Sequence, residues 1–117
     1  MSKHDDLLYL GHMLSYARRA HAKVAAVSRE QVDADEDLQM LVTHLIQIVG
    51  EASINVSEVT RAAHAEIPWA RIRGMRHRIV HDYVSINVDV VWDTATVDLP
   101  DLIAALETFT PPEPPSA

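Results

Sequence analysis

Apolar side chains recur every three or four residues through four long stretches of this chain, a period that suits helices and little else. Leu7, Leu10, Leu14, Ala17 and Val24 fall near one face of a first helix over about Asp5 to Val27, with Leu8 and Met13 widening it. A second runs from about Asp35 to Val56. Leu38, Leu41, Leu45, Ile48, Val49 and Ala52 form its main face, and Val42, Ile46 and Ile54 make it apolar round much of its girth. Such a helix must be buried on more than one side, in the middle of a bundle or at a subunit contact. The third opens at Ile67-Pro68-Trp69, because proline is favoured at a first helical position, and ends near His81 to Tyr83. The fourth carries Val88, Val91, Trp92 and Ala95. Leu102, Ile103, Leu106 and Phe109 continue its face beyond Asp98-Leu99-Pro100, where the proline kinks or restarts it and Asp98 is available as a cap.

Between these stretches lie the signals that stop and start helices. Ser28-Arg29-Glu30-Gln31 has the capping-box pattern, and Asp33, Asp35, Glu36 and Asp37 supply a cap and an acidic first turn for the second helix. Ser57 to Glu66 is a polar, partly helical connector, and Asn87 or Asp89 can cap the fourth helix. Val84 to Val91 nearly alternates β-branched residues, but the run is short and has no partner strand, so it is not read as one. Gly11 would permit another backbone to approach the first helix. The architecture expected is all-α, an up-and-down bundle of four to five helices in a single domain over residues 1–110. Residues 111–117, rich in proline, form a flexible tail.

The residue inventory removes several chemistries. No cysteine is present, which excludes disulfides, thiolate metal sites and a cysteine nucleophile. Met1-Ser2-Lys3-His4-Asp5-Asp6 lacks the basic and apolar regions of a signal peptide, and no apolar run approaches the roughly 20 residues that span a bilayer. A cytoplasmic protein without a membrane partner is the expectation. The formal net charge of −7 opposes general nucleic-acid binding by the surface. Charge is uneven, however. Five arginines and one acid, Glu66, lie between Arg61 and Arg78. Such a strip either grips a phosphodiester locally or pairs with the chain's own acids.

The chemistry is concentrated in Arg71-Ile72-Arg73-Gly74-Met75-Arg76-His77-Arg78-Ile79-Val80-His81-Asp82-Tyr83. At about 100° per residue, Ile72, Met75, Ile79 and Tyr83 share the core side, with Arg76 at its margin. Gly74, His77 and His81 face the other way, flanked by Arg73 and Arg78. Arg76 and His81 then stand about 140° apart, so they converge only if the helix unwinds near its end or if two copies meet across a symmetric contact. Gly74 would allow such an approach. An arginine and a histidine suffice for metal-free RNA cleavage. The imidazole moves protons near neutrality, and the guanidinium takes up charge building on the phosphate. Alternatively, His81 is simply a cation at a helix C-terminus. His77 and His81 are spaced for a shared metal, but no third ligand is evident and none is assigned. Asp82 suits an ion pair with Arg78, and Glu51 is a candidate to position an arginine of this stretch. No glycine-rich phosphate loop is present, and no cofactor is expected.

Arg76, four residues, His81, one residue and Tyr83 together resemble the signature of HEPN-domain proteins, specifically the HepT-like toxins. Ile67-Pro68-Trp69, Gly74-Met75-Arg76, His81-Asp82-Tyr83, Val91-Trp92-Asp93-Thr94 and Asp98-Leu99-Pro100 are similar to that family's C-terminal half. Ile48-Val49-Gly50-Glu51-Ala52 is similar to its second-helix segment. The resemblance implies a helical bundle that forms a homodimer, with the motifs lining a cleft between protomers. It implies a metal-independent endoribonuclease, toxic to the cell that makes it, whose partner is a minimal nucleotidyltransferase antitoxin. That partner silences the toxin by AMPylation of the motif tyrosine. Carried over, Arg76 and His81 are the catalytic pair and Tyr83 the modification acceptor; Arg73, His77 and Arg78, by their place in the same basic stretch, are candidates for auxiliary RNA contacts. Two positions depart from the pattern: His77 stands where many relatives have Asn or Asp, and Val84-Ser85-Ile86-Asn87 replaces an aromatic and a glycine. A non-catalytic HEPN module that binds a nucleotide or a nucleotidyltransferase is the alternative that uses the same residues.

Overall fold

The computed structural model of the protein describes residues 3–79 and 85–109, with the side chains of residues 3, 4 and 76 excepted. Its elements are α1 (Lys3–Ala25), α2 (Arg29–Asp33), α3 (Glu36–Ile54), α4 (Glu58–Ala63), α5 (Trp69–Ile79), α6 (Val88–Asp93), a π-helical turn (Thr94–Asp98) and α7 (Leu99–Glu107). The described residues form an all-α fold without strands, as the periodicity requires. Of the Val84 to Val91 run, not read as a strand, the part from Val88 is helical, and Val84 lies outside the described residues. The proposed tail lies outside the described residues.

Local signals set the helix ends. Ser28 closes a reciprocal capping box with Gln31 at the head of α2. Asp35 accepts from the Leu38 N–H, Ser57 from Thr60 and Asn87 from Val90, heading α3, α4 and α6. Of the two caps considered for α6, Asn87 therefore takes the role, while Asp89 pairs with Arg29, which also holds Asp33. Pro68 stands at the head of α5, its carbonyl accepting from the Ile72 N–H at 3.0 Å.

Asp98 is not a cap. Asp93, Asp98 and Leu99 all have right-handed helical backbone angles, so α6, the π-turn and α7 form one uninterrupted helix. Pro100 is accommodated by widening: the Leu99 N–H reaches back five residues to the Thr94 carbonyl. In that register the donor for the Ala95 carbonyl would be Pro100, which has no N–H. The Nδ1 of His21 on α1 lies 3.1 Å from this oxygen and supplies the missing bond. Val91, Ala95 and Leu99 are spaced four and four, which drifts by about 80° on a regular helix. The wider turn takes up much of that drift, and all three are fully buried.

α1 packs on α3 and on the α6–α7 helix, and α3 packs on α5, with α2 and α6 on its flanks. The core consists of Leu10, Met13, Leu14, Ala17, Ala20 and Val24 from α1 and Val42, Leu45, Ile46, Val49 and Ala52 from α3. It also takes Ile72, Met75 and Ile79 from α5, and Val91, Ala95, Leu99, Leu102 and Leu106. Two faces differ from expectation. On α3, Val42 and Ile46 join the expected Leu45, Val49 and Ala52 in the buried face, while Leu41 is exposed and Ile48 half-buried. On α1, Leu7 and Leu8 are exposed. A helix apolar on most of its girth does not select its buried side; its neighbours do. Gly11 meets nothing within 4 Å, so no close approach occurs there. Gly50 is where backbones meet: a Cβ there would lie 3.3 Å from the Ile72 carbonyl of α5. This contact sets the spacing between the central helix and the arginine-bearing one.

A buried carboxylate joins the start of α1 to α4. Asp6 is 3% exposed and accepts from the Ser57 N–H at 2.8 Å, the Ser57 hydroxyl at 2.6 Å and the Thr60 hydroxyl at 2.6 Å. Burial pushes its pKa up, but the Ser57 and Thr60 hydroxyls and the Ser57 amide outweigh it and hold the group below the usual carboxylate value. On the other side of α4, His64 stacks on Phe109 with ring centroids 3.7 Å apart, and its carbonyl accepts from the Trp69 indole N–H. The chain is thereby fastened just before α5 begins.

Candidate active site

α5 is a helix of four arginines held down by three apolar side chains. Ile72, Met75 and Ile79 are each no more than 1% exposed, at the spacing expected for the core stripe. Burial of side chains this size contributes about 1.5–3 kcal/mol each, enough to fix the helix despite its charge. Gly74 and the side chains of Arg73 and Arg78 are half-buried, and His77 is exposed. This reproduces the arrangement expected from the helical period.

The arginines divide into two groups. Arg71 is satisfied within the chain: its Nε and Nη2 donate to the Asp98 carboxylate at 3.0–3.3 Å. Arg18 and Arg29 likewise pair with acids. Arg73 and Arg78 have no carboxylate partner among the described residues, and the Nε of each is buried without a hydrogen bond. Arg78 turns Nη2 towards the Arg71 carbonyl at 3.4 Å, a long contact with a neutral acceptor. Arg61 on α4 has the same buried, unpartnered Nε. A guanidinium left without an anion in a half-buried position is costly unless a ligand supplies one. Among the described residues, the idea that the basic strip neutralises the chain's own acids therefore holds for Arg71, while Arg73 and Arg78 have no such partner there.

Arg76 lies on α5 between Met75 and His77, but its side chain is outside the described residues, as are His81, Asp82 and Tyr83 entirely. The expected Arg78–Asp82 pair and the convergence of Arg76 with His81 thus fall on residues that are not described. The ends of that segment are fixed. The Asn87 N–H donates to the Ile79 carbonyl at 2.7 Å, joining the last described residue of α5 to the cap of α6. Glu51 is exposed on α3, beside the Gly50 contact with α5, and His44 is exposed two turns earlier. The Gly74 Cβ position is open within the protomer.

Sequence comparison bears on what such a helix does. The family described as Ribonuclease HepT-like matches residues 13–109. The chain belongs to that family. Membership places it among ribonucleases and agrees with the all-α HEPN-like fold. Among curated relatives, one from Caldanaerobacter subterraneus subsp. tengcongensis that carries an RNase name is 31% identical over 94 residues, 80% of this chain and 84% of the relative. A protein of Thermococcus cleftensis named as a ribonuclease HepT is 36% identical over 73 residues, 62% of this chain and 66% of the relative. An RNase-named protein of Methanocaldococcus jannaschii is 24% identical over 102 residues, 87% of this chain and 88% of the relative. No solved structure matches the chain. The match from Met13 to Phe109 takes in α3, α5 and the whole α6–α7 helix.

Sequence reasoning missed three features that position this helix. They are the Asp98 carboxylate that engages Arg71, the Gly50 contact with the Ile72 carbonyl, and the Asp6 anchor on α4. Each joins residues far apart in the chain.

Proposed function

We propose that the protein is the toxin of a toxin–antitoxin pair, an endoribonuclease that cleaves RNA without a metal through Arg76 and His81. Arg73 and Arg78, half-buried on α5 without a carboxylate partner among the described residues, carry the reading, because they leave positive charge beside the motif for a phosphodiester. In the reaction, His81 takes the proton of a ribose 2′-hydroxyl as its oxygen attacks the adjacent phosphorus. The bond to the 5′-oxygen breaks, and that oxygen leaves with a proton from water or from the histidine of a second protomer. Arg76 donates to the phosphate oxygens as their charge grows. Arg73, Arg78 and the exposed His77 hold neighbouring phosphates, and Glu51 orients an arginine.

A homodimer brings two motif segments to one cleft, as a two-fold contact does for residues on opposite sides of a helix. Exposed Leu7, Leu8, Leu41 and Ile54 provide apolar surface for it. The partner is a minimal nucleotidyltransferase: the Tyr83 oxygen, losing its proton to a base, attacks the α-phosphorus of ATP, and the bond to pyrophosphate breaks as AMP is transferred. The added negative charge then repels RNA. No described helix is long and apolar enough to cross a membrane. Action in the cytoplasm follows from the RNA substrate.

The test is cleavage of RNA in EDTA by protein shown by mass to be unmodified at Tyr83, beside Arg76→Ala and His81→Ala. Persistent cleavage in chelator is expected, with a loss of about 10²–10⁴-fold in the histidine variant, the contribution of a positioned acid–base group. Intact RNA binding without cleavage, equal in wild type and His81→Ala, would instead make the chain a recognition module of the same fold.

A further inference from the structure

A cleft of about 360 Å³ opens between the first turns of α3 and the chain that re-enters before α6. Among the described residues it is lined by Glu36, Gln39, Met40, Ser85 and Ile86. Ser85 is four peptide units from His81, a span of at most about 14 Å at full extension. The cleft is therefore within nucleotide reach of the proposed reacting phosphate.

Its lining is unlike that of a phosphate site. Among the described residues no lysine, arginine or histidine contributes to it, and Asp35, Glu36 and Asp37 make this end of α3 acidic. What it offers is acceptors. The Gln39 amide nitrogen donates to the Val32 carbonyl at 2.9 Å and the Asp33 carbonyl at 3.3 Å. Both partners are carbonyl oxygens, so the amide cannot be turned round, and its own oxygen is the group left to accept. Glu36, three residues earlier and hence on the same side of the helix, adds a carboxylate with no hydrogen bond among the described residues. Met40 is 61% exposed, and Ile86 is half-buried opposite it. An exposed thioether beside an aliphatic side chain is a soft platform for a flat aromatic ring.

We propose that this cleft is a base subsite that reads a guanine adjacent to the scissile phosphate. The inference rests on the ribonuclease reading above and names the base it selects. Unstacked bases are recognised by stacking and by hydrogen bonds to their Watson–Crick edges. Guanine alone among the four RNA bases presents two neighbouring donors on that edge, N1–H and the N2 amino group, the match for a carboxylate accepting through both oxygens. The fixed Gln39 oxygen takes the second amino hydrogen. Adenine and cytosine place an acceptor beside their amino group, and uracil flanks its single N–H with two carbonyls. Each of these sets oxygen or nitrogen lone pairs against the Glu36 carboxylate. The base of AMP delivered to Tyr83 is a competing occupant, and its edge chemistry separates it from guanine.

The full-length protein is titrated with GMP, AMP, CMP and UMP, and its cleavage sites are mapped on RNAs that differ only in the base flanking the cut. Wild type is expected to favour GMP, and cuts flanked by guanosine, by roughly five- to a hundredfold, the discrimination of one good bidentate pair. Glu36→Gln, which replaces one acceptor with a donor, should abolish the preference, and Gln39→Leu should weaken it. Thermal melts establish that both variants are folded. Equal binding of all four nucleotides, tighter AMP than GMP, or an unchanged guanine preference in Glu36→Gln would overturn the assignment. Guanine-selective binding that Glu36→Gln removes, in a protein that cuts no RNA, would uphold the subsite and refute the nuclease reading instead.

Discussion

Removing the buried Asp6 carboxylate should cost more stability than a charge change at an exposed position, and the cost should depend on pH in a defined direction. The group is almost wholly buried and accepts three hydrogen bonds from Ser57 and Thr60. Bonds to a charged acceptor are each worth about 1.5–3 kcal/mol, but the freed hydroxyls can turn towards other acceptors, so Asp6→Ala should cost about 3 kcal/mol net. For a domain of this size that lowers Tm by roughly 10–15 °C. Asp6→Asn keeps the shape and one acceptor, and should lose about half as much. Burial acts to raise the Asp6 pKa, but the hydrogen bonds prevail and lower it in the folded state. The stabilisation is therefore fully present above the unfolded pKa of about 3.9 and disappears as pH falls through the lower folded value. Urea denaturation of wild type and Asp6→Asn from pH 7 to pH 2.5 measures this directly. The gap between them should stay constant down to about pH 4.5 and close below it. Parallel curves down to the lowest pH, or an Asp6→Ala variant as stable as wild type at pH 7, would show that the carboxylate does not carry the α1–α4 joint.

Two further substitutions probe how the arginine helix is held. Gly50→Ala gains about 1 kcal/mol of helix propensity and sets it against crowding of the Ile72 carbonyl, so its Tm should stay close to wild type. RNA cleavage should nevertheless fall several-fold because α5 is displaced, and an unchanged rate would mean that this spacing does not govern the site. His21→Leu should cost about 1–2 kcal/mol by stranding the Ala95 carbonyl. That loss should shrink in a Pro100→Ala background, where a backbone N–H is restored. Additive losses in the double-mutant cycle would refute the compensation.

What the sequence made legible follows the distance over which each feature is decided. The caps at Ser28, Asp35 and Asn87 are contacts across three residues, so the sequence pattern places Ser28 outright and narrows the others to the acids of 33–37 and to Asn87 or Asp89. The core stripe of α5 is equally clear because its arginines leave Ile72, Met75 and Ile79 no rival face. α3 defeats the same reasoning: apolar on most sides, it buries Val42 and Ile46 and exposes Leu41 because α1 and α5 approach from that side. Pro100 misleads in another way. A helix break is the local expectation, yet the π-turn and the His21 ring together remove the two penalties of the proline, its clash and the carbonyl it orphans. With the helix unbroken, Asp98 has no cap to make.

The candidate site obeys the same distinction. Which residue types stand in the motif, and in what order, is local, and it carried the resemblance to HepT-like proteins from Arg76 to Tyr83. Which arginines are left for a substrate is not local. Arg71 and Arg73 are two residues apart and chemically identical, and the sequence treats them alike. Their difference arises 25 residues later, because the uninterrupted α6–α7 helix brings Asp98 against Arg71, and no described carboxylate reaches Arg73. A π-turn that keeps a helix whole thus decides which guanidinium is consumed by the fold. Arg73 and Arg78 keep no described carboxylate, which is why they are the ones proposed to hold the phosphodiester.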